Sequence, residues 1–409
     1  MSMLSIDHAL GRLAGIGEDL RERTQRRDRL RRGAGELIDL LCRGVWHVWR
    51  NRRYLTPIKL ANMAAVNLQC RLRTERVVGM PYRMKIEPTN ICNTHCQLCP
   101  TGVGVPGRAK GKMDFKQFRR LIDGYRRYLY TLDLSMWGDP LIVPDIYRMI
   151  RYAHDRGVWT YLSSNLHAFK PDRGQADALV RSGLDMLTCS LHGASQATYE
   201  QYQPGKRLDG SIEKIRAIVA AKQRLGSTTP AIQLNFVVTR FNEHEIDEFR
   251  RLAESLGGKA VFSSPSLNLR YLDQPRPHAT PLTVEGQAVD EANPVKRHLD
   301  HWLPTDDAYV IEPYRLIRDG KLDDADFNGR KVMDCEWPWK DCVINWDGSV
   351  VTCCGVFETD FDMGNVFERP LREIWNSKSY RMARRSFKRP APDATDHVNP
   401  CRDCPGFML

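Results

Sequence analysis

Several features are missing from this chain of 409 residues, and each absence excludes a class. No apolar run approaches the roughly 18 residues that a membrane-spanning helix needs. The opening MSMLSIDHALGRLAG has no charged stretch leading into an apolar one, so no secretory signal is expected and the expected location is the cytoplasm. No internal repeat is visible. With 42% hydrophobic and 27% charged residues, the composition also excludes wholesale disorder and fibrous structure. Acidic residues are scarce at one end: residues 1–80 carry 16 Lys or Arg against 8 Asp or Glu, or +8 of the net +11. Seven arginines fall between Arg21 and Arg32. Whatever partner the basicity implies therefore meets the N-terminus.

At about 150 residues per domain the length suggests two to three domains. Four segments are expected: a basic helical extension (1–80), a repeated strand–helix domain (81–270), a linker with short helices (271–334) and a cysteine-rich α+β domain (335–409). In the first, GELIDLLCRGVWHVWRNRRYL sets Leu37, Leu40, Leu41, Val45, Val48 and Trp49 near one helix face with arginines at its edges, and LTPIKLANMAAVNLQCRL continues the helical spacing. Such a helix either lies on an anionic membrane surface or packs as a lid with solvated arginines. From 82 to 270, strand-like runs (YRMKIEP, TLDLSMW, VWTYLSSN, DMLTCSLHG, AIQLNFVVT, KAVFSSPSL) alternate with amphipathic helical ones. Six such units predict a parallel sheet covered by helices, either an open doubly wound sheet or a partial barrel. Further on, VINWDGSVVT predicts a hairpin turning at Asp347-Gly348, and PLREIWNSKSYRMARRSF predicts a helix.

The chain has 12 cysteines, and they cluster. In a reducing compartment clustered thiols point to metal or catalysis. Cys92, Cys96 and Cys99 follow the first strand in IEPTNICNTHCQLCP, on the kind of loop where α/β folds gather ligands. Three thiolates can hold three corners of a four-iron cluster, leaving one iron open to substrate or a chelating cofactor. The alternative is zinc with His95 as fourth ligand, but His95 adjoins Cys96 and is poorly placed to join the same tetrahedron.

The CxxxCxxC spacing of CNTHCQLC, its place after the first strand and the preceding IEPTN resemble the radical S-adenosylmethionine (SAM) enzymes. The resemblance implies a partial (βα)6 barrel and a [4Fe–4S] cluster on Cys92, Cys96 and Cys99, with SAM chelating the open iron. It implies reductive cleavage of SAM to a 5′-deoxyadenosyl radical that takes a hydrogen atom from substrate, using electrons from a flavodoxin- or ferredoxin-type donor. MWGDPLI stands where the family binds SAM's amino group, which points to Gly138, Asp139 and Pro140, although Trp137 and Asp139 depart from the usual Gly-Gly-Glu pattern. Ser164 and Asn165 in SSN match the ribose-contact segment. Ser190 matches a fourth-strand serine, and Asn235 is a weaker candidate. Ordinary capping and turn formation is the alternative reading of these polar residues.

The run CEWPWKDCVINWDGSVVTCC followed by MGNVFERPLREIWN resembles the SPASM/twitch extension of that family, which carries auxiliary clusters. The full double-cluster pattern is absent, so the resemblance implies one auxiliary [4Fe–4S] cluster on Cys335, Cys353, Cys401 and Cys404. Cys342 is an alternative first ligand, Cys354 follows Cys353 on a strand and points the other way, and zinc is the alternative metal. Cys42, Cys70 and Cys189 read as small hydrophobes.

A cluster with four protein thiolates would accept or relay an electron. The expected function is thus oxidative or other C–H modification of a small natural product such as a sugar or cyclitol. The alternatives are a lipid or lipid-linked substrate at the membrane surface, or a ribosomal peptide. Such an oxidation needs a base, for which His192 or a barrel lysine is the candidate. The competing class is a non-enzymatic iron–sulfur carrier or a zinc nucleic-acid binder using the arginine run. It leaves the cysteine loop unexplained, so nucleic acid is not expected as a partner.

Overall fold

Strand alternation explains the architecture. In parallel sheets both faces are usually apolar, yet here the strands alternate. In β1 (Arg83–Ile86) Met84 and Ile86 are buried while Arg83 and Lys85 are less so. β2 (Thr131–Asp133), β3 (Trp159–Ser164) and β5 (Ala231–Val237) repeat the pattern, burying Leu132, then Leu162, then Leu234 and Phe236. With β4 (Met186–Ser190) and β6 (Lys259–Ser263) they form six parallel strands in sequential order. The apolar residues of each strand join one core with the surrounding helices. The other, concave face is left polar.

The computed structural model describes residues 53–280, 293–321, 335–387, 399–402 and 404. Thr56–Leu409 forms one compact unit, separate from Met1–Leu55. The predicted amphipathic segment ahead of residue 53 and Cys42 lie outside the described residues.

The helices form where the periodicity places them. α1 (Pro57–Arg71) starts at Thr56, whose hydroxyl accepts from the Lys59 amide, and buries Asn62, Val66 and Cys70. α2 (Phe115–Tyr125) starts at Asp114, which accepts from the Lys116 amide at 2.7 Å, and buries Phe118, Leu121 and Ile122. That i, i+3, i+4 stripe is what packing on a sheet demands. α3 (Ile146–His154) and α4 (Gln175–Arg181) are followed by Gly157 and Gly183, both left-handed as a helix stop requires. α5 (Leu208–Arg224) and α6 (Ile246–Ser255) complete the outer layer.

The sheet does not end with the barrel. β7 (Asp341–Ile344) pairs parallel with β1, then β8 (Ser349–Val351) and β9 (Gly364–Asn365) follow antiparallel, giving nine strands in the order β6-β5-β4-β3-β2-β1-β7-β8-β9. The β7–β8 hairpin turns at Asp347-Gly348, with Gly348 at φ +85°.

The described parts of 271–334 carry short helices, as expected. Within them α7 (Pro294–Trp302) and α8 (Glu312–Arg318) build a small core with Leu98, Tyr202, Leu267 and Leu269. One expectation needs correction. The single helix expected over 370–387 is two, α9 (Leu371–Trp375) and α10 (Lys378–Arg385). Asn376 breaks it: its amide donates to the Val77 carbonyl at 2.9 Å and accepts the Val77 amide at 3.0 Å, and Ser377 caps a new start. No helix among the described residues is long and apolar enough to cross a membrane.

Candidate active site between two cysteine groups

The loop after β1 carries Cys92, Cys96 and Cys99, and its backbone is held tightly. A Cβ on Gly102 would lie 2.3 Å from the Cys96 carbonyl oxygen, so only glycine lets the loop fold back on itself. The Thr94 hydroxyl sits between two thiols, 3.2 Å from Cys92 and 3.4 Å from Cys96. Gln97 fixes the outer side: its side chain donates to the His278 carbonyl at 3.2 Å and accepts the Thr280 amide at 2.6 Å. His95 turns its Nδ1 to the Gly102 carbonyl at 3.2 Å and its ring against His278.

The donor set fits an iron–sulfur cluster. Burial pushes the Cys96 thiol well up, and burial with the neighbouring Cys92 pushes Cys99 up to about 11. With their pKa values raised, Cys96 and Cys99 become thiolates against a strong local positive charge, such as that of ligated iron. Among the described residues no group of His, Cys, Asp or Glu converges closely enough to hold a single metal ion.

The residues expected to contact SAM divide into two kinds. Asp139, Ser164 and Asn165 brace one another. The Asp139 carboxylate accepts from the Ser164 hydroxyl at 2.8 Å and from the amides of Asn165 and Leu141, both at 2.9 Å. Burial raises the Asp139 pKa despite those donors. The Asn165 amide group donates to Asn93 at 3.0 Å and approaches the Cys92 sulfur at 3.7 Å, so this corner supports the cysteine loop. A Cβ on Gly138 would lie 2.2 Å from the Thr89 carbonyl oxygen, which makes this glycine a close-approach point between the two loops. Pro140 opens a short 3-10 turn beside it. Ser190 and Asn235, by contrast, are register partners on the concave face. Ser190 lies 3.4 Å from the Ser163 hydroxyl, and Asn235 accepts from the Ser263 hydroxyl at 3.3 Å.

His192 is not arranged as a base. It is buried at φ +61°, and its Nδ1 accepts the Val237 amide at 3.1 Å. That bond fixes the tautomer with the proton on Nε2, and burial depresses its pKa to about 3. Sequence reasoning named a barrel lysine without placing it, and missed Glu87 and Arg108. Lys85 pairs with Asp133 inside the barrel and donates to the Ser135 carbonyl at 3.1 Å; burial alone would lower its pKa, but Asp133 outweighs it. Glu87, fully buried in the phrase IEPTN, accepts the Trp137 amide at 3.1 Å and the Trp346 amide at 3.4 Å, and burial raises its pKa to about 7. Arg108 joins the loop after the cysteines to the C-terminal hairpin through Ser349, at 2.8 Å, and Asp362. The signal for the first pair was present: charges at alternate positions of RMKI and TLD in a parallel sheet.

A cavity of about 410 Å³ lies between Cys99 and the C-terminal cysteines. Leu98, Cys99, Met136, Trp137 and Tyr202 line its barrel side. Cys335, Cys353, Cys401 and Cys404 line the other, with Cys354 and Trp337. The adjacent pair does not alternate along a strand as expected: β8 ends at Val351, and Cys353 and Cys354 lie in the bend and turn after it, where they meet different groups. Beyond its neighbour, Cys353 is acted on by Cys401 and Cys404, while the charges acting on Cys354 are Lys85, Asp133 and Asp341 of the barrel's inner face. Cys342 does not reach the cavity; it is fully buried in the main core, against Tyr380.

Comparison with known proteins agrees with this geometry. The model of the radical SAM superfamily matches residues 86–253, and that of the SPASM iron–sulfur cluster-binding domain matches 335–405. The chain is 25% identical, over 72% of its length and 81% of the relative's, to a tungsten-containing aldehyde ferredoxin oxidoreductase cofactor-modifying protein of Pyrococcus furiosus. It is 23% identical, over 80% of its length and 79% of the relative's, to the mycofactocin maturase MftC of Mycobacterium tuberculosis. In fold it is similar to SuiB of Streptococcus suis bound to its precursor peptide SuiA, with a TM-score of 0.55 at 14% identity, covering 80% of this chain and 72% of that one. The cluster loop, the polar-lined βα sheet and the cysteine-rich extension together make this chain an enzyme of the radical SAM superfamily with a C-terminal SPASM-type domain, using SAM on a [4Fe–4S] cluster and an auxiliary [4Fe–4S] site.

Proposed function

We propose that this enzyme oxidatively modifies a C–H bond of a small natural product or cofactor precursor whose reacting part is apolar or aromatic. Cys92, Cys96 and Cys99 hold the SAM cluster, and Cys335, Cys353, Cys401 and Cys404 hold the auxiliary cluster. The observation that carries the reading is the single cavity with Cys99 on one side and the four C-terminal cysteines on the other. A substrate lodged there sits within reach of a radical from one side and an electron acceptor on the other. Leu98, Met136, Trp137 and Tyr202 make an apolar wall, which suits a hydrophobic group better than a sugar or cyclitol. Relatives named as heme synthases and cofactor-modifying proteins support a cofactor-like substrate. A ribosomal peptide is the second reading, supported by the relatives named as a PqqA peptide cyclase and mycofactocin maturases. When bound, the cofactors supply the radical chemistry, while the barrel orients substrate and excludes water. Ser190 and Asn235 are the SAM contacts the concave face supports best, and a flavodoxin- or ferredoxin-type protein supplies the electrons.

The test is anaerobic reconstitution with reductant and SAM. Two clusters, with 5′-deoxyadenosine formed, are expected. Metal analysis that finds zinc in place of iron at Cys92, Cys96 and Cys99 would sink the radical reading.

A peripheral membrane contact through residues 1–80 has its own support. Among the described residues the exposed large hydrophobics are Ile58, Leu60, Leu68, Leu72 and Val78, all on or just after α1. Exposed Arg71 and Arg76 flank them, the pattern of a helix that lies on anionic lipid. Sedimentation of the full chain with anionic vesicles, but not with neutral ones, is the expected result. Equal sedimentation with both, or with neither, overturns it.

A further inference from the structure

The last described helix hides a charge with no carboxylate beside it among the described residues. Arg384 on α10 has no exposed surface. Its Nε donates to the Pro338 carbonyl at 2.9 Å and one Nη to the Glu75 carbonyl at 3.0 Å. Its guanidinium lies over the rings of Trp375, at 4.6 Å, and Tyr380, at 5.2 Å. The remaining nitrogen, Nη2, is buried without a hydrogen-bond partner. Among the described residues no carboxylate pairs with it. The ionisable groups that act on it are Tyr380, Cys342 and Cys401.

A buried cation without an anion is costly. Carbonyls and ring faces ease that cost but carry no net charge. Two facts point to where the missing anion belongs. Pro338, which accepts from Arg384, lines the same cavity wall as Cys335, Cys401 and Cys404, and so does Phe387, three residues after it. Of the three groups acting on Arg384, Cys401 is the one whose sulfur belongs to that wall. Four thiolates around a four-iron cluster leave net negative charge, which grows when the cluster accepts an electron.

We propose that Arg384 is the counter-charge of the auxiliary cluster and raises its reduction potential, so that the cluster accepts an electron from the substrate side more readily. This rests on the auxiliary cluster assigned above. Arg384 is thus a positioning residue in the electrostatic sense: it touches neither substrate nor SAM, but sets the acceptor's electron affinity. A neighbouring charge is one of the established levers on cluster potential.

The experiment is a redox titration of the full-length holoenzyme followed by electron paramagnetic resonance, with SAM present. The auxiliary signal is the one that SAM leaves unchanged. Arg384→Gln should make that cluster at least tenfold harder to reduce, a fall of 59 mV or more for one electron. Arg384→Lys keeps the charge and should hold the wild-type value at low pH. Lysine can lose its proton when buried, whereas arginine does not. The potential of the lysine variant should therefore fall with rising pH relative to wild type, and this settles the matter if the glutamine variant does not fold. An arginine needed only to tie residues 75 and 338 together would leave the potential unmoved, and that result overturns the proposal alone. Absence of any SAM-insensitive cluster overturns the assignment beneath it and the proposal together.

Discussion

Cys99 of the first cysteine group and all four cysteines of the second reach the same cavity, by opposite routes. Cys92, Cys96 and Cys99 lie on one short loop, braced by Thr94 and Gly102. Cys335, Cys353, Cys401 and Cys404 come from separate stretches, brought together by the hairpin of β7 and β8 and by the chain end beside Thr352. A three-ligand site that must leave an iron open can be local, because its spacing alone fixes the geometry. A four-ligand site that must be closed draws on distant segments, and also on a charge such as Arg384 from the helix behind it. Chemistry toward SAM is written into a motif, while electron acceptance depends on the packing of a domain.

The difference can be broken most sharply by removing each set. Replacing Cys92, Cys96 and Cys99 by alanine should abolish 5′-deoxyadenosine formation and lower the iron content from about eight to about four per chain. Replacing Cys353 and Cys401 should remove the other four or so, yet leave SAM cleavage running without product. Loss of both clusters in either variant would show that the two sites are not independent.

Gly102→Ala tests whether the local site depends on its backbone. The added Cβ meets the Cys96 backbone, so the first cluster should be lost or greatly weakened while the auxiliary iron stays. Iron analysis with SAM-dependent spectral changes reads this out.

Glu87 joins the two regions, through the amides of Trp137 and Trp346. Its folded pKa, about 7, lies above its unfolded value of 4.5. Between those values the native state holds the extra proton, so this group's contribution to stability falls as pH rises. Glu87→Gln removes that dependence. The difference in unfolding free energy between the two proteins should change by about 3 kcal/mol from pH 4.5 to pH 8, measured by denaturant titration. A constant difference would mean that Glu87 ionises normally.

Leu68→Asp with Leu72→Asp should weaken binding to anionic vesicles at least several-fold, with SAM cleavage unchanged, since both side chains point away from the core. The smallest effect is expected of Cys342→Ser. Its thiol faces Tyr380 and not the cavity, so iron content should not change. Loss of about four irons would make Cys342 a ligand after all.

Much of this was legible beforehand, for identifiable reasons. The six βα units followed from periodicity, because an amphipathic helix and an alternating strand each bury one face. The cysteine loop followed from spacing. His192 misled because a histidine after a strand looks catalytic, while its bond to the Val237 amide is made only when β4 and β5 pair. Asp139, Ser164 and Asn165 looked like ligand contacts, yet mainly brace each other across two loops. Glu87 and Arg384 left no pattern, since their significance comes from burial against residues far along the chain.

By itself the sequence determined the covalent and periodic facts: which loop carries three thiols, which strands alternate, where a hairpin turns and where basic charge accumulates. These depend on neighbours a few residues apart. The tertiary structure decided what depends on distant neighbours: that β7 extends the barrel sheet at β1, that Cys353, Cys401 and Cys404 line one cavity, and that Arg384 lies buried. Burial and long-range pairing set those outcomes, because local spacing carries no information about which surface a residue will meet.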